Sequence, residues 1–175
     1  GAYSEQQQSF KELLLILIMA TLLVFGVFMF LFKEWLLSLL LLFISIMGIC
    51  GCIIALYLTN IPLNVSSYTG IIMIVGILAE NAIFTVAQYR FNMQQTNNVD
   101  QSINYAIALR IRPKLMTAIG AILALMPLAL GIGLGAQMQQ PLAVAVIGGF
   151  VVGLPMLLLV FPSLLRLLYR NKQKY

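Results

Sequence analysis

The sequence predicts an all-α, polytopic membrane protein built as a five-helix transmembrane bundle. Of its 175 residues, 62% are hydrophobic and 9% charged, whereas an average soluble domain is roughly 45–50% apolar. So few charges cannot cover a water-facing surface, and the solvent must be mostly lipid. Five apolar runs reach the roughly 20 residues that a helix needs to cross a bilayer. The net charge of +5 is unevenly placed: Lys and Arg gather in some connecting segments and are missing from others.

The first span covers about 13–32 and ends at Lys33-Glu34. The second, about 35–59, opens on Trp35 and ends at Asn60-Ile61-Pro62. The third covers about 68–89 and the fourth about 114–135, opened by Pro113 near its first turn. The fifth covers about 141–168. Together they form a transmembrane domain over 13–168, between an exported segment at 1–12 and a basic cytoplasmic tail at 169–175. Tyr57, Tyr68, Tyr89, Tyr105 and Tyr169 fall near span ends, as aromatic belts at the headgroup level do. The segment 90–113 is the connection between spans three and four. Within it, "INYAIALRIRP" carries Ile103, Ile107 and Arg110 at helical spacing, and either lies along the membrane surface or extends the fourth helix.

Orientation follows from the cations. Segment 90–113 and its flank hold Arg90, Arg110, Arg112 and Lys114, and the tail holds Arg166, Arg170, Lys172 and Lys174. Both are expected in the cytoplasm, and the uncharged connections near 60–67 and 136–140 outside. Counting back places residues 1–12 outside as well. That segment has no signal-peptide character, so the chain reads as the end of something longer.

Pro127 and Pro155 fall inside spans and should kink them. Gly131/Gly135 and Gly149/Gly153 are small-xxx-small pairs that would allow close helix contact. Histidine is absent and Asp100, the only aspartate, lies in a polar loop, so neither imidazole chemistry nor an intramembrane aspartate pair is available. Cys50 and Cys52, two apart in an apolar run, point away from each other on a helix and read as small buried side chains.

An intramembrane carboxylate has two readings, a structural hydrogen bond between helices or a proton relay, and the relay is the expectation here. "GIIMIVGILAENAIFTVAQY" (70–89) carries Glu80 and Asn81 side by side near its middle. Glu80 lies nine residues from Tyr89, roughly 13 Å deep at 1.5 Å per residue. A charge at the centre of a membrane helix costs about 2.5–3.5 kcal/mol on insertion scales. Glu80 is therefore either protonated, or ionised against a cation or a water-filled cavity, and a group poised between those states is what a proton relay needs. Asn81 can donate hydrogen bonds to a neighbouring carboxylate. On the next span, "RIRPKLMT" offers Arg110, Arg112, Lys114 and Thr117. Arg112 reads as a topology signal. Lys114 follows Pro113 and lies about 10 Å shallower than Glu80, a gap that its stem spans in part, with Thr117, a water or an acid from elsewhere covering the remainder.

Four ordered stretches, "EQQQSFKELLLIL", "PLNVSSYTGIIMIVGI", "RIRPKLMTAIGAILALMPLALG" and "QQPLAVAVIGGF", resemble the C-terminal membrane segment of the resistance-nodulation-division (RND) efflux permeases over essentially the whole chain. The resemblance implies that the five spans are the last five of a twelve-helix protomer and that spans three and four carry part of the proton relay. In multidrug members the position of Glu80 is typically lysine, in an "AKN" context. The "AEN" here, with Lys114 directly after "RIRP", resembles copper/silver-type heavy-metal members, whereas "FKELLLIL" and "PLNVSSYTG" look more like the hydrophobe-exporting branch. Arg110 and Thr117 match positions near the relay in multidrug members. Of nine methionines, Met138 lies one residue from a position where metal-type members place a relay methionine, and thioethers suit Cu(I).

The expected function is thus the proton-coupling part of an efflux antiporter rather than an enzyme, with Glu80, Asn81, Lys114, Thr117 and Arg110 as relay residues, protons as coupling ion and no cofactor. By resemblance, its partners are the N-terminal half of the same permease in a homotrimer, a periplasmic adaptor and an outer-membrane channel, with membrane lipid around it and no nucleic acid, in the bacterial inner membrane. The rival expectation is a structural or assembly subunit, or a remnant of a split transporter gene.

Overall fold

The protein is represented by a computed structural model that describes residues 2–133 and 135–173; of the expected basic tail, Lys174 and residue 175 lie outside the described residues. The helices are α1 (Ala2–Phe32), α2 (Trp35–Leu58), α3 (Val65–Thr96), α4 (Val99–Ala129), α5 (Ala136–Pro155) and α6 (Phe161–Gln173), with a π-helical turn at Met156–Val160 joining the last two. No strand occurs among the described residues. Among the described residues, five segments are long and apolar enough to cross a membrane: Phe10–Phe32, Trp35–Leu58, Val65–Thr96, Val99–Ala129 and Ala136–Tyr169.

Helix and span do not end together. Segment 90–113 is helical on both sides of a short break. α3 continues to Thr96 and stops where Asn97 adopts φ 54°, donating its N–H to Met93, and α4 begins at once, because the Asn98 side chain accepts from the Gln101 N–H at 3.2 Å. Of the two readings of "INYAIALRIRP", the structure has the helical extension. Pro113 consequently lies inside α4 rather than in its first turn. Its missing N–H leaves the Leu109 carbonyl without its intrahelical donor.

α5 occupies the middle of the bundle, packed against α2, α3 and α4. It can do so because it is narrow. A Cβ at Gly148 would lie 2.4 Å from the Ala55 Cβ and 2.7 Å from the Gly51 carbonyl oxygen, and one at Gly149 would lie 2.5 Å from Ile74. Between lipid-soluble helices, where burial of apolar surface drives little, contact is won by such close backbone approach. Gly153 meets Leu78 in the same way, at 2.8 Å. Gly131 and Gly135 do something else: they lie in the α4–α5 turn at φ 72° and 87°, in left-handed backbone, and form no close helix crossing. That corrects their expected role as a packing pair. The prolines also differ from one another. Pro127 lies two residues before the end of α4, within its last turn, whereas Pro155 opens the π-helical turn. There the Phe161 N–H reaches back five residues to Met156, and the next residue, Pro162, has no N–H with which to restore the α register.

At the end of the bundle that carries most of the cations, Arg90 ties α3 to the α1–α2 turn. Its guanidinium pairs with Glu34 at 3.3 Å, donates to the Phe32 carbonyl at 2.8 Å and lies 4.7 Å over the Phe32 ring. The Tyr169 hydroxyl donates to Glu34 at 3.0 Å, and its ring stacks on Tyr89. At the opposite end, the Ser66 hydroxyl donates to the Met138 carbonyl and the Gln140 amide to the Ala129 carbonyl, both at 2.9 Å.

Candidate functional site

The site is built on the facing sides of α3 and α4. On α3 a polar stripe recurs at helical spacing through Asn81, Thr85, Gln88 and Asn92. On α4 the facing positions are Arg110, Lys114 and Thr117, one turn apart. The two helices enclose a cavity of about 360 Å³ lined by Glu80, Asn81, Phe84, Arg110, Lys114 and Thr117, and closed on the far side by Val146 and Phe150 of α5. All five residues expected to form a relay therefore converge on one space.

Their environments differ. Lys114 is buried, at 5% exposure, although a lysine is among the residues least often found inside. Its ammonium donates to the Thr85 hydroxyl, itself 1% exposed, and that hydroxyl donates onward to the Asn81 carbonyl at 2.9 Å. One turn toward the cation-rich end, Arg110 donates to Gln88 at 3.5 Å and lies 5.3 Å over the Phe84 ring, while its Nε is buried without a hydrogen-bond partner among the described residues. Glu80 is exposed, as is Thr117. Glu80 lines both the α3–α4 cavity and a shallower apolar groove against α1 formed with Leu23 and Val27. It forms no ion pair with Lys114 within 4.0 Å.

The sequence missed Thr85. The sequence offers Thr117, a water or an acid from elsewhere to bridge Lys114 and Glu80, yet the oxygen that holds the lysine comes from Thr85 of α3. Its signal was its place four residues after Asn81 on the same face. Arg112 is exposed on the other side of α4, and Met138 exposes its side chain in the first turn of α5, away from the cavity. No group of three or more His, Cys, Asp or Glu side chains is placed to hold a metal among the described residues. Cys50 and Cys52 are both free.

In chemical terms the cavity brings together one carboxylate facing outward and one buried ammonium on an alternative oxygen.

Comparison with known proteins gives a consistent picture. The AcrB/AcrD/AcrF family matches residues 1–169. The cobalt-zinc-cadmium resistance protein CzcA of Cupriavidus metallidurans is 32% identical over 99% of this chain, and the multidrug resistance protein MdtC of Erwinia tasmaniensis is 37% identical over 70% of it. A crystal structure of a heavy metal efflux pump superposes with a TM-score of 0.83 over 97% of the chain at 33% identity. The chain spans only 16% of CzcA, 12% of MdtC and 17% of that pump.

Proposed function

Because the chain belongs to the AcrB/AcrD/AcrF family of RND efflux transporters, we propose that it is the proton-coupling membrane part of a proton antiporter that exports metal ions or toxic organic compounds. The observation that carries this is the shared α3–α4 cavity, where Glu80 faces outward while Lys114 is buried on Thr85. Glu80 binds and releases the proton. Lys114 moves toward it when it is ionised and back to Thr85 when it is neutral. Thr117 and Asn81 line the path, and Arg110 holds a second positive charge at its edge. Each change of partner alters which polar groups face the α3–α4 gap, and so biases how those helices pack.

A charged carboxylate on the outside of a five-helix bundle is costly when it faces hydrocarbon. Glu80 is therefore covered by the remaining part of the permease, whose N-terminal half docks on the α3–α4 face. By family, the assembly is a trimer in the inner membrane, working with a periplasmic adaptor and an outer-membrane channel, and the Lys/Arg asymmetry favours the cytoplasm for the end that carries Arg90 and Arg166.

The test uses the assembled permease in proteoliposomes with an imposed pH gradient, and Zn²⁺ and ethidium as cargo in parallel. Lys114→Met, which keeps the stem and removes the charge, is expected to lower gradient-driven export of the active cargo about 100-fold, the scale of losing a group that takes part in proton transfer. Export at the unaltered rate would exclude Lys114 from the coupling.

A further inference from the structure

We infer that Thr85 is a positioning residue of the proton relay: its hydroxyl is the resting dock on which the Lys114 ammonium waits while Glu80 is neutral. This rests on the proton-coupling function proposed above and adds to it a residue that the relay needs without its touching the proton.

The geometry is specific. Thr85 is 1% exposed and Lys114 5% exposed, so neither is solvated from the bulk. A buried ammonium with no acceptor is strongly disfavoured, and Thr85 Oγ1 is the acceptor that α3 supplies. The hydroxyl proton is already committed to the Asn81 carbonyl at 2.9 Å. Its lone pairs are thereby turned to the lysine, since a hydroxyl has one donor and two acceptor sites. Thr85 thus acts as a fixed acceptor rather than a free rotor. It lies five residues from Glu80 along α3, about 7.5 Å along the helix axis at 1.5 Å per residue, and Glu80 lines the same cavity as Lys114, so that the flexible lysine stem turns within that cavity from one group toward the other. The charged groups facing Lys114 are Glu80 on α3 and Arg110 one turn away on α4. α5, the third helix against this site, has no ionisable side chain, and α6 meets α4 near Asp100, through Arg166.

Two docks make a switch, whereas one dock makes a permanent ion pair. Without Thr85 Oγ1, Glu80 is the one carboxylate that the described residues of this chain place in the cavity with the ammonium, and it gives up that partner each time a proton binds.

The experiment is the pH profile of export by the assembled permease in proteoliposomes, with Zn²⁺ and ethidium as cargo, for Thr85→Val, Thr85→Ser and Glu80→Gln together. Thr85→Val preserves shape and is expected to move the half-maximal point of the profile to lower pH by about one unit, the scale of one charge-assisted hydrogen bond. Thr85→Ser, which keeps the hydroxyl, is expected to restore the wild-type profile. An unmoved profile in Thr85→Val, or a loss of rate equal at every pH, would overturn the dock, because a merely structural hydrogen bond has no reason to act through pH. If Glu80→Gln is inactive while Thr85→Val keeps the wild-type profile, the relay stands and only the Thr85 dock falls. If Glu80→Gln exports normally, the relay itself falls.

Discussion

Glu80→Gln is expected to abolish pH-gradient-driven export by the assembled permease, a loss of about 100-fold or more on the scale of removing an acid–base group, with expression and assembly unchanged. The expectation follows from placement. Among the described residues, Glu80 is the only carboxylate lining the α3–α4 cavity, which it shares with the buried Lys114. Glutamine keeps the length and the hydrogen-bonding shape but cannot ionise, so Lys114 would stay on Thr85 throughout the cycle. Glu80→Asp keeps the charge on a shorter stem and should retain part of the activity. Measured as cargo efflux per unit of permease, wild-type rates from Glu80→Gln would reduce Glu80 to a structural hydrogen-bonder.

The second large effect is on folding. Gly148→Val is expected to destabilise the bundle by more than about 3 kcal/mol, beyond the usual range for overpacking. The added side chain would start 2.4 Å from the Ala55 Cβ and 2.7 Å from the Gly51 carbonyl oxygen. Neither is the free end of a flexible chain, so α2 and α5 must separate. Because α5 is central, packing against α3 and α4 would suffer as well. Gly120→Ala is the matched control: nothing lies within 4 Å of its Cβ position, and alanine suits a helix interior better than glycine. Thermal unfolding in detergent should show a large fall in midpoint for the first variant and none for the second. Equal midpoints would contradict the close α2–α5 crossing.

Much of this was legible in the sequence, for identifiable reasons. Hydropathy alone gives the five spans, because a bilayer accepts little else than long apolar helices. Glu80 and Asn81 stand out because polar groups are costly at that depth, Lys114 because it directly follows Pro113 where the next span opens, and the structure brings all three to one cavity. Polarity was a poor guide to where helices end. "RFNMQQT" leaves the apolar run yet stays helical up to the left-handed Asn97, and Pro113 sits within a helix that begins fourteen residues earlier. Where a segment leaves lipid and where it stops being a helix are separate physical questions. Glycine spacing misled in a similar way. The pair at 131 and 135 serves a turn, whereas Gly149 and Gly153, with the same spacing, pack closely on Ile74 and Leu78, and the tightest crossing sets Gly148 against Gly51 and Ala55 of α2. Thr85 was hidden because a single threonine in an apolar helix most often bonds its own preceding turn. It does that here too, and the lysine on its other side becomes visible only once α3 and α4 are packed together.

The central claim is that Glu80 changes protonation during transport while Lys114 changes partner. Infrared difference spectroscopy of the assembled permease tests it most directly, by following the carboxyl C=O stretch as pH is stepped with and without cargo. The account predicts a protonated-carboxyl band that gains and loses intensity over the pH range of export, shifts in Thr85→Val and is absent in Glu80→Gln. A spectrum in which no carboxyl band assignable to Glu80 responds to pH or cargo would contradict it.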